Sequence, residues 1–206
     1  EMYRMRIVSI VCLTVVLLFV FVGCNKKEER PGETGDTAGR SSDELVIINI
    51  GGQTSLDPHT MSERTDQRVF NALFEGLLSY DPVTAEGIPG LAETWEINDD
   101  GTIYTFHLRE TTWSDGTPIT AHTVRNSWLR ILDPGTVSPY AWFPAMFIKG
   151  AEAFSTGEAG PEAVAIEAID NYTFRVEFIR RFPYVENLLP HFAFAVVPIH
   201  AIAAYG

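Results

Sequence analysis

The most restrictive feature of the sequence is a strand, a turn and a helix in immediate succession. Side chains alternate between two faces over residues 103–108, and this period of two predicts a strand with one buried face. Residues 114–118 carry the serine, aspartate, glycine and proline of a turn, and Thr120 is placed to cap the helix that follows. The apolar face of that helix carries Val124, Trp128, Ile131 and Leu132, and its other face carries Arg125, Asn126 and Arg130. Pro134 ends the helix, because a residue that precedes proline avoids the helical region.

The segments before this unit predict further short elements. The apolar run at 45–50 is typical of a strand buried on both faces. A helix is predicted from about residue 65, with an apolar face formed by Val69, Phe70, Leu73 and Phe74. Residues 77–80 suit a short strand. Residues 95–97 and the turn at 98–101 form a hairpin with the central strand.

The segments after the unit predict a second hairpin and several shorter elements. Its two strands lie at 164–166 and 173–179. Residues 184–189 predict a short helix, 193–197 a strand, and a last helix begins at Ile199.

Motifs spread along the chain resemble the oligopeptide-binding proteins of bacterial ABC importers, which belong to family 5 of the extracellular solute-binding proteins. They occur in the order of that family and cover about residues 45–206: S-L-D-P-H at 55–59, L-F-E-G-L-L at 73–78, P-G-L-A-E-T-W at 89–95, T-F-x-L-R at 105–109, W-S-D-G-T-P-x-T-A at 113–121, D-P-x-T-x-S-P-Y-A at 133–141, A-I-D-N-Y-T-F-R-V at 168–176 and the P-Y…L-L-P-H run at 183–191.

This resemblance implies an α/β fold of the class II periplasmic-binding-protein type, in which two lobes close on a ligand. Residues 44–75 would be the first piece of lobe I, and 76–198 the small α+β domain found in peptide binders. Residues 199–206 would return toward lobe I. Family members continue past this point, so the remainder of lobe I and the second lobe are expected to be missing from this chain.

The resemblance also implies a ligand site. The family holds its peptide as an added strand through main-chain hydrogen bonds. The tyrosine of S-P-Y, here Tyr140, would place its hydroxyl in the cleft. The alternative is a tyrosine that packs its ring and bonds locally. The stretch after S-L-D-P-H, which includes Ser62 and Arg64, would line the cleft through its main chain. Thr123 stands where the family usually has an aspartate.

The first residues predict export and a lipid anchor. Arg4 and Arg6 precede an apolar run at 7–22, which is shorter than the roughly 20 residues of a membrane-spanning helix. Residues 21–24 look like a lipobox, which makes residues 1–23 a signal peptide and Cys24 the lipidated cysteine. An uncleaved anchor and cleavage that leaves a free thiol are the alternatives. Residues 24–43 would comprise this cysteine and a disordered tether.

Composition and motifs disfavour several other functions. The net charge of −12 argues against a nucleic-acid partner, which would need a basic face. The sequence has no nucleophile elbow, phosphate-binding loop or zinc-protease motif. Ser114, Asp115 and His122 could suggest a hydrolase, but the first two have the chemistry of a turn. Asp57 to His59 is likewise interpreted as a turn. No enzyme activity, cofactor or metal site is expected.

Together the resemblance and the predicted leader imply a lipoprotein that captures oligopeptides outside the inner membrane for an ABC importer. Its partners would be the oligopeptide, the permease subunits and, through the lipid, the membrane. It would lie in the cell envelope, facing the periplasm or the extracellular space. An adhesin or envelope interaction protein of the same fold is the alternative, as is a binder of a nickel complex or haem.

Overall fold

The computed structural model describes residues 55–62 and 64–205. The predicted signal peptide, Cys24, the tether and the predicted strand at 45–50 lie outside these residues. In chain order the elements are α1 (Arg64–Leu73), β1 (Leu78–Tyr80), β2 (Gly87–Pro89), β3 (Ala92–Ile97), β4 (Ile103–Leu108), β5 (Thr111–Thr112), β6 (Pro118–Ile119), α2 (Ala121–Leu132), α3 (Trp142–Ala145), α4 (Ala151–Ser155), β7 (Ile166–Ala168), β8 (Thr173–Glu177), α5 (Val185–Leu188) and α6 (Ile199–Tyr205). Short 3₁₀ turns lie at Pro134–Thr136, Pro161–Ala163 and Phe192–Phe194. Among the described helices, none combines the length and the hydrophobicity that a membrane span requires.

The centre of the fold is an antiparallel sheet of four strands in the order β3-β4-β8-β7. In β4 the side chains of Tyr104, Phe106 and Leu108 are buried, whereas the residues between them are partly exposed. Phe106 lies opposite Phe174 of β8, so the buried face continues across the sheet. The predicted alternation and both predicted hairpins are therefore confirmed, although the first strand of the second hairpin is Ile166–Ala168 and not 164–166.

The β3–β4 turn is held by one asparagine side chain. Asn98 Oδ1 accepts hydrogen bonds from the backbone N–H groups of Thr102 and Ile103, each at 2.9 Å. Gly101 has a φ of 69°, a left-handed conformation that glycine adopts without the steric cost of a Cβ. The turn chemistry thus places β3 and β4 side by side.

Helix α2 packs across the buried face of the sheet, as its pattern predicts. Thr120 caps it, because its hydroxyl accepts from the Thr123 N–H at 3.4 Å while Thr123 Oγ1 accepts from the Thr120 N–H at 3.2 Å. Thr123 therefore completes a reciprocal cap. Trp128 is fully buried, and its ring meets Phe174 edge-on at 5.0 Å.

The prediction of a strand at 193–197 is wrong. The structure has the 3₁₀ turn Phe192–Phe194 and then an extended segment that pairs with no strand among the described residues. Its polar backbone groups bond to side chains of α2 instead. The Phe194 carbonyl accepts from the Trp128 indole at 3.1 Å, and the Val197 N–H donates to Ser127 Oγ at 3.0 Å. A buried apolar segment can satisfy its backbone in this way without a sheet.

Two groups of buried apolar side chains can be distinguished. The main core lies between the sheet and α2 and draws its residues from Leu77 to Val196. A smaller group, here called the second cluster, consists of Met61, Phe70, Phe192, Ala195 and Val197. It joins the loop before α1 to the segment before α6.

Replacement of Trp128 by alanine is expected to lower the free energy of unfolding by about 3–5 kcal/mol, because a fully buried ring is lost. The matched control is Trp142→Ala, since that side chain is 54% exposed. The free energy of unfolding of this control is expected to fall by less than about 1 kcal/mol. Denaturant unfolding followed by circular dichroism measures both values. Equal losses in the two variants would contradict this account of the core.

Candidate functional site

Tyr140 lies in a loop whose shape is set at the end of α2. Asp133 Oδ1 accepts from the Gly135 N–H at 2.8 Å, and the Thr136 hydroxyl donates to the Arg130 carbonyl at 2.5 Å. Ser138 Oγ then accepts from the Tyr140 N–H at 3.2 Å. The loop is therefore tied to the helix, and Tyr140 has a defined position.

The ring of Tyr140 is half-buried and packs against both the main core and the second cluster. It meets the ring of Phe192 edge-on, with centroids 4.6 Å apart. In the described part of the chain, the hydroxyl has no hydrogen-bond partner. The packing of the ring agrees with both interpretations of Tyr140, as a ligand contact and as a structural residue. A purely structural tyrosine would also be expected to bond locally through its hydroxyl, and no such partner is found among the described residues. Ligand contact by Tyr140 stays a prediction.

His191, beside Tyr140, is a candidate that the sequence reasoning missed. Its ring packs against Phe143 at 4.4 Å and Phe192 at 4.2 Å. Burial lowers its pKa to about 4, so the imidazole is neutral near pH 7. Nδ1 accepts from the Ala193 N–H at 3.2 Å, which leaves the proton on Nε2. His191 thus offers an uncharged donor within an aromatic surface. Its only sequence signal is its place in the L-L-P-H run.

The stretch predicted to line the cleft begins beside the same cluster. Met61 is buried in the second cluster, Ser62 is exposed, and α1 begins at Arg64. The N–H groups of Thr60 and Met61 both donate to the Asp57 carbonyl at 3.1 Å, which forms a tight turn before the stretch. The second cluster therefore brings the loop that ends at Ser62 and the ring of Tyr140 into one region.

The Asp57 to His59 segment forms the predicted turn, with Asp57 Oδ1 accepting from the His59 N–H at 3.0 Å. It also has a distant partner. Arg130 pairs with Asp57 through Nη2–Oδ2 at 2.6 Å and Nη1–Oδ1 at 3.1 Å. Arg130 Nη1 also lies 2.9 Å from His59 Nδ1. The helical pattern places Arg130 on the polar face of α2, but its side chain is only 21% exposed. The local sequence around Arg130 does not predict this contact.

The residues that could have suggested a hydrolase do not come together. Asp115 Oδ2 lies 2.8 Å from His200 Nε2, and hydrogen bonds from the Thr117 backbone and from His200 lower the Asp115 pKa to about 2. His122 lies elsewhere, exposed on α2. No hydrogen bond joins Ser114 to a histidine in the described ranges. Within the same residues no group of histidine, cysteine, aspartate and glutamate side chains could hold a metal ion.

The chain is similar to known proteins over most of the described residues. A model of the bacterial extracellular solute-binding proteins, family 5 Middle, matches residues 86–204. The periplasmic oligopeptide-binding protein OppA of Salmonella typhimurium is 39% identical over 166 residues, which are 79% of this chain and 30% of that protein.

Solved structures show the same similarity. A periplasmic oligopeptide-binding protein of Borrelia burgdorferi, OppAIV, is 39% identical with a TM-score of 0.71, over 74% of this chain and 31% of that one. Haemophilus influenzae OppA in complex with the peptide RPPGFSPFR is 35% identical with a TM-score of 0.68, over 74% of this chain and 30% of that one. The chain therefore spans about a third of the length of these proteins. Over that part, the predicted periplasmic-binding-protein fold is confirmed.

The partial burial of His191 predicts a dependence of stability on pH. Its pKa is lowered from 6.5 to about 4 in the folded protein, so the folded state binds fewer protons than the unfolded chain between these values. The free energy of unfolding should therefore fall as the pH falls through this range. One pKa unit corresponds to about 1.4 kcal/mol, so the loss should be about 1–2 kcal/mol for this partly exposed ring.

The variant His191→Asn removes the titrating ring and keeps an oxygen that can accept from the Ala193 N–H. Its stability is expected to change less between about pH 7 and about pH 4.5 than that of the wild type. Urea unfolding at the two pH values measures the difference. His59, whose pKa is also lowered to about 4, contributes equally in both proteins and cancels. The same loss in both proteins would contradict a buried neutral His191.

Proposed function

Because the chain belongs to the bacterial extracellular solute-binding proteins of family 5, we propose that it serves as the oligopeptide-capturing component of an ABC importer, outside the inner membrane. The observation that carries the proposal is the similarity to oligopeptide-binding proteins, one of which was solved with a bound peptide. The family is one of solute-binding proteins, in agreement with the expectation that the chain is not an enzyme. Peptide and importer permease are the partners that this function requires.

We also propose that residues 44–75 and 199–206 belong to lobe I and that 76–198 form the small additional domain. The two groups of buried side chains support this division. The main core is built from residues between Leu77 and Val196. The second cluster joins Met61 and Phe70 to the last residues of the small domain, Phe192, Ala195 and Val197, and Ile199 and Ile202 pack against it. The chain would thus cross between the two parts close to Tyr140.

Peptide would bind at the region around Tyr140 and the stretch that contains Ser62 and Arg64. The Tyr140 hydroxyl, which has no partner among the described residues, would donate to or accept from the peptide. The main chain of the stretch after Met61 would bond to the peptide as to an added strand. Because main-chain groups are the same in every peptide, such contacts suit a binder that accepts many sequences.

The test uses the full-length protein and a random tetrapeptide library, with the retained peptides identified by mass spectrometry. The most enriched tetrapeptide then serves as the probe for calorimetry. Tyr140→Phe should weaken its binding by about two- to tenfold, since one hydrogen bond is worth about 0.5–1.5 kcal/mol. Tyr172→Phe is the control, because that ring packs on the main core away from the second cluster. If the wild type retains no peptide, the proposed function is wrong. If Tyr140→Phe binds as the wild type does, the residue is structural.

We further propose that Cys24 is lipidated and anchors the protein to the membrane. The support is the sequence alone: Arg4 and Arg6, the apolar run at 7–22 and the lipobox-like residues 21–24. More than one acyl chain gives stable anchoring where a single chain is marginal.

Growth with radiolabelled palmitate is therefore expected to label the wild type and to leave Cys24→Ala unlabelled. Cys12→Ala is the matched control and should be labelled, since that cysteine lies inside the predicted signal peptide. Equal labelling of wild type and Cys24→Ala would exclude this anchor.

A further inference from the structure

The loop at residues 57–61 precedes the stretch that is predicted to contact the ligand. One arginine of α2 binds this loop through its side chain. Arg130 makes two hydrogen bonds to the Asp57 carboxylate, at 2.6 and 3.1 Å, and both side chains are about four-fifths buried, being 21% and 22% exposed. The planar guanidinium matches both carboxylate oxygens at once, so the pair fixes an orientation as well as a distance. Asp57 starts the turn that ends at Met61, directly before Ser62.

His59 extends this contact to a third segment. Arg130 has only donors, so its 2.9 Å contact with His59 Nδ1 requires a lone pair on that nitrogen. The proton of the neutral ring is then on Nε2, which donates to the Ala195 carbonyl at 3.4 Å. His59 is 1% exposed, and burial, the largest cause, lowers its pKa to about 4. Arg130, Asp57 and His59, here called the Arg130 network, therefore join α2, the loop and the segment before α6.

The main chain of the same arginine holds the loop that carries Tyr140. The Arg130 carbonyl accepts from the Thr136 hydroxyl at 2.5 Å. Thr136 ends the 3₁₀ turn, and the next residue, Val137, has a φ of 52°. A left-handed valine is costly unless its surroundings hold it. The bond to Arg130 is one such restraint. Arg130 thus contacts both parts of the proposed site, one through its side chain and the other through its carbonyl.

We propose that Arg130 is a positioning residue for peptide binding, which fixes the loop that ends at Ser62 relative to the loop that carries Tyr140. This inference rests on the proposed function, because it concerns how the loop that ends at Ser62 and the loop that carries Tyr140 bind the same peptide. Arg130 need not touch the peptide. A lysine would keep the charge next to Asp57, but a single ammonium cannot reproduce the fork that also reaches His59.

The experiment measures the affinity of the full-length protein for the tetrapeptide that the wild type enriches most from the library. Arg130→Lys should weaken binding by about three- to tenfold. Thr136→Val removes only the hydroxyl that bonds to the Arg130 carbonyl, and it should weaken binding by about two- to fivefold. Arg175→Lys is the matched control, since Arg175 forms an exposed ion pair with Glu167 at 2.9 Å on the sheet. It should bind as the wild type does.

Two readouts separate positioning from mere stability. The first is a double-mutant cycle. If Arg130 holds Tyr140 and the loop that ends at Ser62 in position for the same peptide, Tyr140→Phe should weaken binding less in the Arg130→Lys protein than in the wild type. The second is hydrogen exchange without peptide. Arg130→Lys should speed exchange in residues 57–62 and leave that of β4 and β8 unchanged.

The outcomes are distinct. Weaker binding by Arg130→Lys and Thr136→Val, with coupling to Tyr140 and faster exchange confined to the loops, would establish the positioning role. Unchanged affinity in Arg130→Lys, or strictly additive losses with Tyr140→Phe, would overturn it while leaving the proposed function intact. A wild type that binds no tetrapeptide would overturn both.

Discussion

The packing of Trp128 between the sheet and the segment before α6 is the contact on which the rest of the fold depends. Its ring lies 5.0 Å from that of Phe174 and 5.1 Å from that of Phe194, and both contacts are edge-on. Its N–H donates to the Phe194 carbonyl. The side chain of Trp128 therefore connects α2 to β8 and to the segment before α6. A buried aromatic pair contributes about 0.5–1.5 kcal/mol beyond its burial, so this arrangement combines apolar packing with a satisfied polar group.

Two residues of α2 close to Trp128, Ser127 and Arg130, bond to the segments that form the candidate site. Ser127 bonds to the N–H and the carbonyl of Val197, at 3.0 and 3.3 Å. Arg130, in the last turn of the helix, bonds to Asp57 and His59. Each of these bonds replaces one to water and contributes little net free energy, but breaking one would leave a buried polar group without a partner. Their main effect is to fix positions.

Local patterns predict those parts of the fold that depend on neighbouring residues. The alternation in β4, the cap at Thr120 and the two hairpins are all encoded within a few residues, and the structure confirms them. The strand predicted at 193–197 failed, because an apolar run shows that a segment is buried and does not show what its backbone bonds to. The partners are Ser127 and Trp128, about 66–70 residues earlier. The Arg130 network was missed for the same reason, since its partners are 71–73 residues away.

The charges of the candidate site bear on the kind of ligand it suits. Asp57 and Arg130 neutralise each other, and His59 and His191 have lowered pKa values that keep both rings uncharged near pH 7. Among the described side chains that contact Tyr140 or His191, what remains is the Tyr140 hydroxyl, an imidazole donor and the rings of Trp142, Phe143 and Phe192. Such a surface can pack against varied side chains without selecting their charge, since a fixed charge would favour one sign and penalise the other. This part of the candidate site would therefore agree with the proposed capture of peptides of varied sequence.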